Sequence, residues 1–222
     1  MRRHRFEFVL GILFVALLGV VWLWQNPGLL RGPLQPAEIE RYLAVLERMP
    51  YPADEKPAML RSLRTWMEAD DGRPFYMLNL MRYYPALRHY PGDLAFDGTP
   101  REANARYEAT VMPLLLERGG YAAYAGTVAD ANLMSSEPEL DHWSRVLLVR
   151  YPSRRSFVEM LADPAFQRVA PYKIMALRVV LTPTQPELLL PEPVRGTAAG
   201  LLILYLAICW LRAARAHPPT VP

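Results

Sequence analysis

The sequence predicts an α+β domain held between two transmembrane helices. Three observations carry that reading: an uncharged apolar run near each end, a middle region whose patterning switches between period two and the helical period, and a middle charge close to zero.

The first run, FVLGILFVALLGVVWLW at residues 8–24, holds no charge. At about 1.5 Å per residue it covers ~26 Å of a hydrocarbon core ~30 Å thick. Trp22 and Trp24 fall at its outer interface. A cleaved secretory signal also begins with basic residues, but Gln25, Asn26, Pro27 and Gly28 follow with no small-x-small site, so an uncleaved anchor is expected. The second run, GTAAGLLILYLAICWL at 196–211, is shorter, and a snorkelling Arg195 extends it to spanning length. From Leu201 to Leu211 it offers no polar face to water. Arg2, Arg3 and Arg5 precede the first span and Arg212 and Arg215 follow the second; basic residues beside a span stay cytoplasmic. The expected protein is therefore two-pass, in a cell inner membrane, with the lipid bilayer as a partner, both termini cytoplasmic and the middle periplasmic or otherwise extracytoplasmic.

Charge agrees with this division. The chain has 25 Lys+Arg against 22 Asp+Glu, but Arg2, Arg3, Arg5, Arg195, Arg212 and Arg215 lie in or beside the anchors with only Glu7 to balance them. The middle is close to neutral, and no nucleic-acid partner is expected. Cys209 is the only cysteine and sits in the second run, so the exported part has no disulfide or thiolate metal site. The expected boundaries are residues 1–28 for the cytoplasmic tip and first span, 29–73 for a helical extension, 74–186 for the α+β domain, 187–212 for a linker and second span, and 213–222 for a tail.

The extension opens at Pro36, with Ile39, Tyr42, Leu43 and Leu46 on one side of a helix that Pro50 and Pro52 interrupt. Met59, Leu60, Leu63, Trp66 and Met67 recur at three and four, giving a second helix with one apolar docking face. Asp70, Asp71, Gly72 and Pro74 end it. FYMLNLMRYY then reads as a strand, with Phe75, Met77, Asn79, Met81 and Tyr83 on one face and Tyr76, Leu78, Leu80 and Arg82 on the other. After a loop with Pro85, Pro91, Gly92 and Gly98, Thr99, Pro100 and Glu102 form a capping-box start. That helix turns Tyr107, Val111, Leu114 and Leu115 inward, is expected to kink near Ala109 because of Pro113, and ends at Gly119 and Gly120.

YAAYAGTV and WSRVLLVRY are the next strands, joined by a loop with Ser135, Ser136, Glu137 and Pro138. Ser153 caps a helix burying Phe157, Met160 and Leu161; Asp163 and Pro164 start another carrying Phe166 and Val169. ALRVVLT is the last strand, closed by Pro183. The order strand, helix, strand, strand, helix, strand is the split βαβ arrangement of the ferredoxin-like fold, an antiparallel βαββαβ sheet with helices on one face. Its other face must be covered, usually by the sheet of a second copy, so a homodimer is expected. If the helices of the extension cover it instead, the domain is monomeric.

At this point GGYAAYAGTV and DHWSRVLLVRYPSRRSFVEMLADPAFQRV resemble the dimeric α/β-barrel superfamily, in one of its branches of unknown function. The shared pattern is a strand ending in an aromatic, Pro, Ser turn, then a helix and an Asp, Pro, aromatic start, here Tyr151, Pro152, Ser153, Asp163, Pro164 and Phe166. The resemblance covers about residues 75–184. It implies a range of activities: cofactor-free monooxygenases, muconolactone-type isomerases, haem-binding dismutases and peroxidases, and proteins with none established. Haem needs an imidazole on the iron, and only His89, in a Pro-rich loop, and His142, at a strand start, are available outside the anchors. No haem, other cofactor or metal is expected, and no phosphate loop, nucleophile elbow or Rossmann fingerprint occurs.

Asn79 is the polar residue that stands out, between Met77 and Met81 on one strand face, where it can orient a carbonyl or hydroxyl in an apolar pocket or bond a neighbouring backbone. Arg82, Tyr107, His142, Arg150 and Tyr172 are further ligand-binding candidates; no catalytic residue is assigned. Asp141 beside His142 reads as a surface loop pair. Two functions remain: a membrane-anchored module that binds a small hydrophobic ligand or assembles with a partner, and a cofactor-independent monooxygenase or isomerase acting on a hydrophobic ring.

Overall fold

The structure, a computed structural model, describes residues 5–90, 95–134, 137, 141–187 and 193–216. Expectations at Arg2, Arg3, Pro91, Gly92, Ser135, Ser136 and Pro138, and for residues 217–222, lie outside these. In chain order the elements are α1 (Arg5–Gln25), α2 (Gly28–Arg31), α3 (Pro36–Glu47), α4 (Lys56–Glu68), β1 (Phe75–Tyr83), α5 (Pro100–Glu117), β2 (Tyr121–Thr127), β3 (Arg145–Tyr151), α6 (Arg154–Leu161), α7 (Pro164–Ala176), β4 (Leu177–Thr184) and α8 (Pro193–Ala216). They fall into two compact units, one of Met1–Gln25 with Glu187–Pro222, the other Asn26–Pro186.

In the first unit α1 and α8 pack together: a Cβ at Gly11 would lie 3.5 Å from the Tyr205 ring, and the Arg212 guanidinium sits 4.2 Å over the Phe6 ring. Both helices are long and apolar enough to cross a membrane, over Phe8–Gln25 and Pro193–Ala213. α8 exceeds the expected apolar run because Pro193, whose fixed φ suits a first turn, starts it ahead of Arg195.

The second unit is α+β. Its four strands form one antiparallel sheet in the order β2-β3-β1-β4, with Asn79 opposite Leu147 on β3 and Leu181 on β4. Thr99, Ser153 and Asp163 each accept a backbone N–H at the start of α5, α6 and α7, and Glu102 completes the capping box on Thr99. α5 is one helix through Pro113. β4 continues past Pro183, which pairs with Met77; as an edge strand it can hold a residue that cannot donate to a ladder. α2 was not expected, being a single turn with no room for periodicity.

Phe75, Met77, Asn79 and Met81 face the helices and are buried. On the opposite face Leu78 and Leu80 stand beside Leu148, Val146 and Val180, and Tyr124 and Val180 are exposed. The extension joins the helical layer: Trp66 on α4 meets Phe75 edge-on at 5.0 Å and Phe157 at 5.5 Å. Polar contacts fasten it to α6. Arg155, buried among its neighbours, pairs with Glu38 and donates to the Pro33 carbonyl at 3.1 Å, and Arg31 pairs with Glu159 at 2.6 Å. The Arg155 hydrogen bonds hold the Glu38 carboxyl down to about 2. Beneath them two backbones almost touch: a Cβ at Gly28 would fall 1.9 Å from the Gly72 carbonyl, and Gly72 itself has φ +70°.

Candidate functional site

Between the helical face of the sheet and the helices lies a cavity of about 260 Å³. The strands contribute Asn79, Tyr151, Val179 and Leu181, and α5 contributes Tyr107. α6 and α7 add Phe157, Met160, Leu161, Phe166, Ala170, Lys173 and Ile174. The outer wall is the extension, through Leu46, Met49, Tyr51, Met59 and Leu63. The docking face expected on α4 thus has a second use, since Met59 and Leu63 present it to the cavity.

Nearly all of this lining is apolar or aromatic, which makes its polar atoms decisive. Asn79 is 3% exposed, and its Nδ2 donates to the Met77 carbonyl at 3.2 Å. Its Oδ1 accepts from Lys173 Nζ at 2.9 Å. The Lys173 ammonium also stands 5.3 Å from the centre of the Tyr107 ring. Burial pushes Lys173 down to about 8 from its ordinary 10.5, with Glu108 opposing that shift and Arg145 reinforcing it. Burial also pushes the Tyr107 phenol up, and it pushes Tyr151 up with a further contribution from Tyr107. Both phenols are therefore neutral hydrogen-bond donors at physiological pH.

A smaller annex of about 40 Å³ shares Asn79, Tyr107, Tyr151 and Lys173 and reaches Asn104 and Glu108. There Glu108 Oε1 accepts from Arg145 at 2.6 Å and from Asn104 Nδ2 at 3.0 Å. Asn104, 2% exposed, also donates to the Tyr83 hydroxyl at 3.3 Å.

Of the six sequence candidates, the structure brings Asn79 and Tyr107 together at the cavity and places the others elsewhere. Arg82 and Arg150 alternate onto the opposite sheet face, Arg82 donating to the Asp141 carbonyl and lying 5.1 Å over Trp143. Arg150 faces Tyr121 across the ladder, its guanidinium 5.8 Å from that ring. His142 precedes β3 in a loop with φ 62°, its N–H donating to Asp141 Oδ1 at 2.7 Å. Tyr172 is buried against Phe96, edge-on at 5.3 Å. Lys173 and Tyr151 were missed. Lys173 did leave a signal: it continues the apolar stripe Phe166, Val169, Ala170 of α7 at helical spacing, where a charge is out of place. Among the described residues no cluster of His, Cys, Asp and Glu is arranged to hold a metal ion.

No protein-family model matches the chain, and no curated protein does. Among solved structures it is similar to a protein of unknown function from Rhodopseudomonas palustris, with 29% identity and a TM-score of 0.48 over 60% of this chain and 94% of that one. It is also similar to SnoaB, a cofactor-independent oxygenase from Streptomyces nogalater, with 14% identity and a TM-score of 0.35 over 54% of this chain and 99% of that one. Neither likeness is close enough to carry an activity across.

Proposed function

We propose that this chain is a membrane-anchored binding domain that holds a small, largely apolar molecule by one oxygen-bearing end. The observation that carries the reading is the Lys173–Asn79 pair, a hydrogen-bonded polar point set in an otherwise apolar cavity. Asn79 fixes the direction of Lys173, and the aromatic walls select flat or branched hydrocarbon. About 260 Å³ suits a ligand of one or two rings.

The test is a calorimetric titration of the detergent-solubilised full chain with 1-naphthol. Saturable binding of one molecule per chain is expected, weakened at least about tenfold by Ala170→Phe, which fills the cavity from α7. Absent binding, or binding that the variant leaves untouched, would overturn this site.

The finer architecture belongs to the same proposal: a ferredoxin-like βαββαβ domain of dimeric α/β-barrel type, on the periplasmic side of an inner membrane, paired through its sheet. The strand order supports the first part, and the apolar residues Leu78, Leu80, Val146, Leu148 and Val180 on the open face support the second. The arginines flanking α1 and α8 support the orientation. A periplasm-active reporter fused after Thr184 should give signal, and native mass spectrometry should find a dimer; a silent reporter or a monomer counts against the respective part.

A second reading, a cofactor-independent monooxygenase or isomerase acting on a hydrophobic ring, is favoured by one observation. Lys173 titrates near 8, so a usable share of it is a neutral amine at physiological pH, able to take a proton from a bound acid. His142 is not available for that role, being outside the cavity lining.

A further inference from the structure

We infer that the cavity is built for a monoanion with an apolar body, a carboxylate or phenolate whose oxygen lies on Lys173 Nζ and the hydroxyls of Tyr107 and Tyr151. The inference rests on the binding reading above and narrows its ligand to a chemical class.

The polar inventory of the cavity is lopsided. Lys173 brings three N–H donors; one is used by Asn79 Oδ1 at 2.9 Å. Tyr107 and Tyr151, only 9% and 6% exposed, both line the cavity, and among the described residues neither hydroxyl has a hydrogen-bond partner. The one side-chain acceptor in the lining besides the phenols, Asn79 Oδ1, is already engaged. Both hydroxyls are open to the cavity and not sealed within the core, so a ligand's oxygen that enters can accept from them.

Charge is lopsided in the same sense. No carboxylate among the described residues contacts Lys173. Glu108, in the annex, is the acid closest in effect, but Arg145 claims it at 2.6 Å. Counting Lys173, Glu108 and Arg145 together leaves one positive charge beside the cavity. A buried cation without a partner is expensive, and an incoming anion removes that cost while satisfying the phenols. A neutral ligand of equal shape does only the latter. Neutral phenols strengthen the assignment, because burial keeps both protonated and so both remain donors.

The experiment compares two probes that differ in charge and hardly in shape, cinnamate and cinnamamide, titrated into the detergent-solubilised full chain. Cinnamate should bind at least about tenfold more tightly at neutral pH. Lys173→Met should bring the ratio close to one, and Tyr151→Phe should weaken cinnamate more than cinnamamide. Equal binding of the two probes by the wild-type chain overturns the charge assignment and leaves the binding reading standing. A preference that survives Lys173→Met overturns it as well, by placing the counter-charge elsewhere. Failure of both probes together with 1-naphthol overturns the binding reading and this inference with it. The wild-type comparison needs no variant, so a misfolded Lys173→Met does not rescue the assignment.

Discussion

Phe75→Ala is expected to lower the stability of the α+β unit by about 3–5 kcal/mol. Phe75 is 2% exposed at the start of β1, where four elements meet. It stacks on Tyr151 of β3 at 5.4 Å and meets Trp66 of α4 and Phe157 of α6 edge-on at 5.0 and 6.2 Å. Truncation leaves a void whose lining is three large rings, and rings collapse poorly into the space of a fourth. Tyr151 and Phe157 also wall the cavity, so ligand binding should weaken together with stability. Denaturant unfolding of the solubilised chain, followed by circular dichroism, checks the first effect. A loss below about 1 kcal/mol would show that the cluster is not packed in this way.

Asn79→Leu should cost about 2–3 kcal/mol at neutral pH, and the cost should shrink as pH rises. The substitution removes the acceptor at 2.9 Å from Lys173 Nζ and leaves a buried ammonium facing hydrocarbon. The direction with pH follows from Lys173. Its folded-state value, about 8, lies below its ordinary 10.5, so between these two the unfolded chain binds more protons and the fold gains stability as pH increases. Losing Asn79 depresses the folded value further, because the bond favoured the charged form. The variant is therefore at its worst where Lys173 would be charged, below about 8, and approaches the wild type once the amine is neutral in both. Unfolding measured at about pH 7 and again at about pH 9.5 reads this out. An identical deficit at the two pH values would mean that Asn79 acts through its backbone contacts alone.

The elements were legible where a local rule decides them. Thr99 with Glu102, Ser153 and Asp163 mark helix starts through their own side chains, and the caps are where those residues stand. Period two in β1 correctly separated Asn79 from Arg82. Rules that depend on position in the sheet were less visible: Pro183 ends a strand by local chemistry, but an edge position admits it. Of the candidate site, Asn79 could be picked because a polar group on an apolar face is a local anomaly, while Tyr107 follows from residue type alone and happens to face the cavity. Tyr151 could not, since an aromatic at a strand end packs far more often than it binds, and only the fold shows that its hydroxyl has no partner. Arg82, Arg150 and Tyr172 were chosen by residue type, and type does not say on which side of a sheet or helix a cavity opens.

The walls of the cavity come from positions as far apart as Leu46 and Leu181. Such a pocket cannot exist in any partly folded piece of the chain: it appears only when the extension, the helices α5, α6 and α7 and the final strand have met. A ligand held there would bind the native state and nothing earlier, and so would pull on the folding equilibrium. At a concentration one hundred times its dissociation constant it would add about 2.7 kcal/mol. Under the proposed binding function, the supply of ligand would then help set how much folded protein persists.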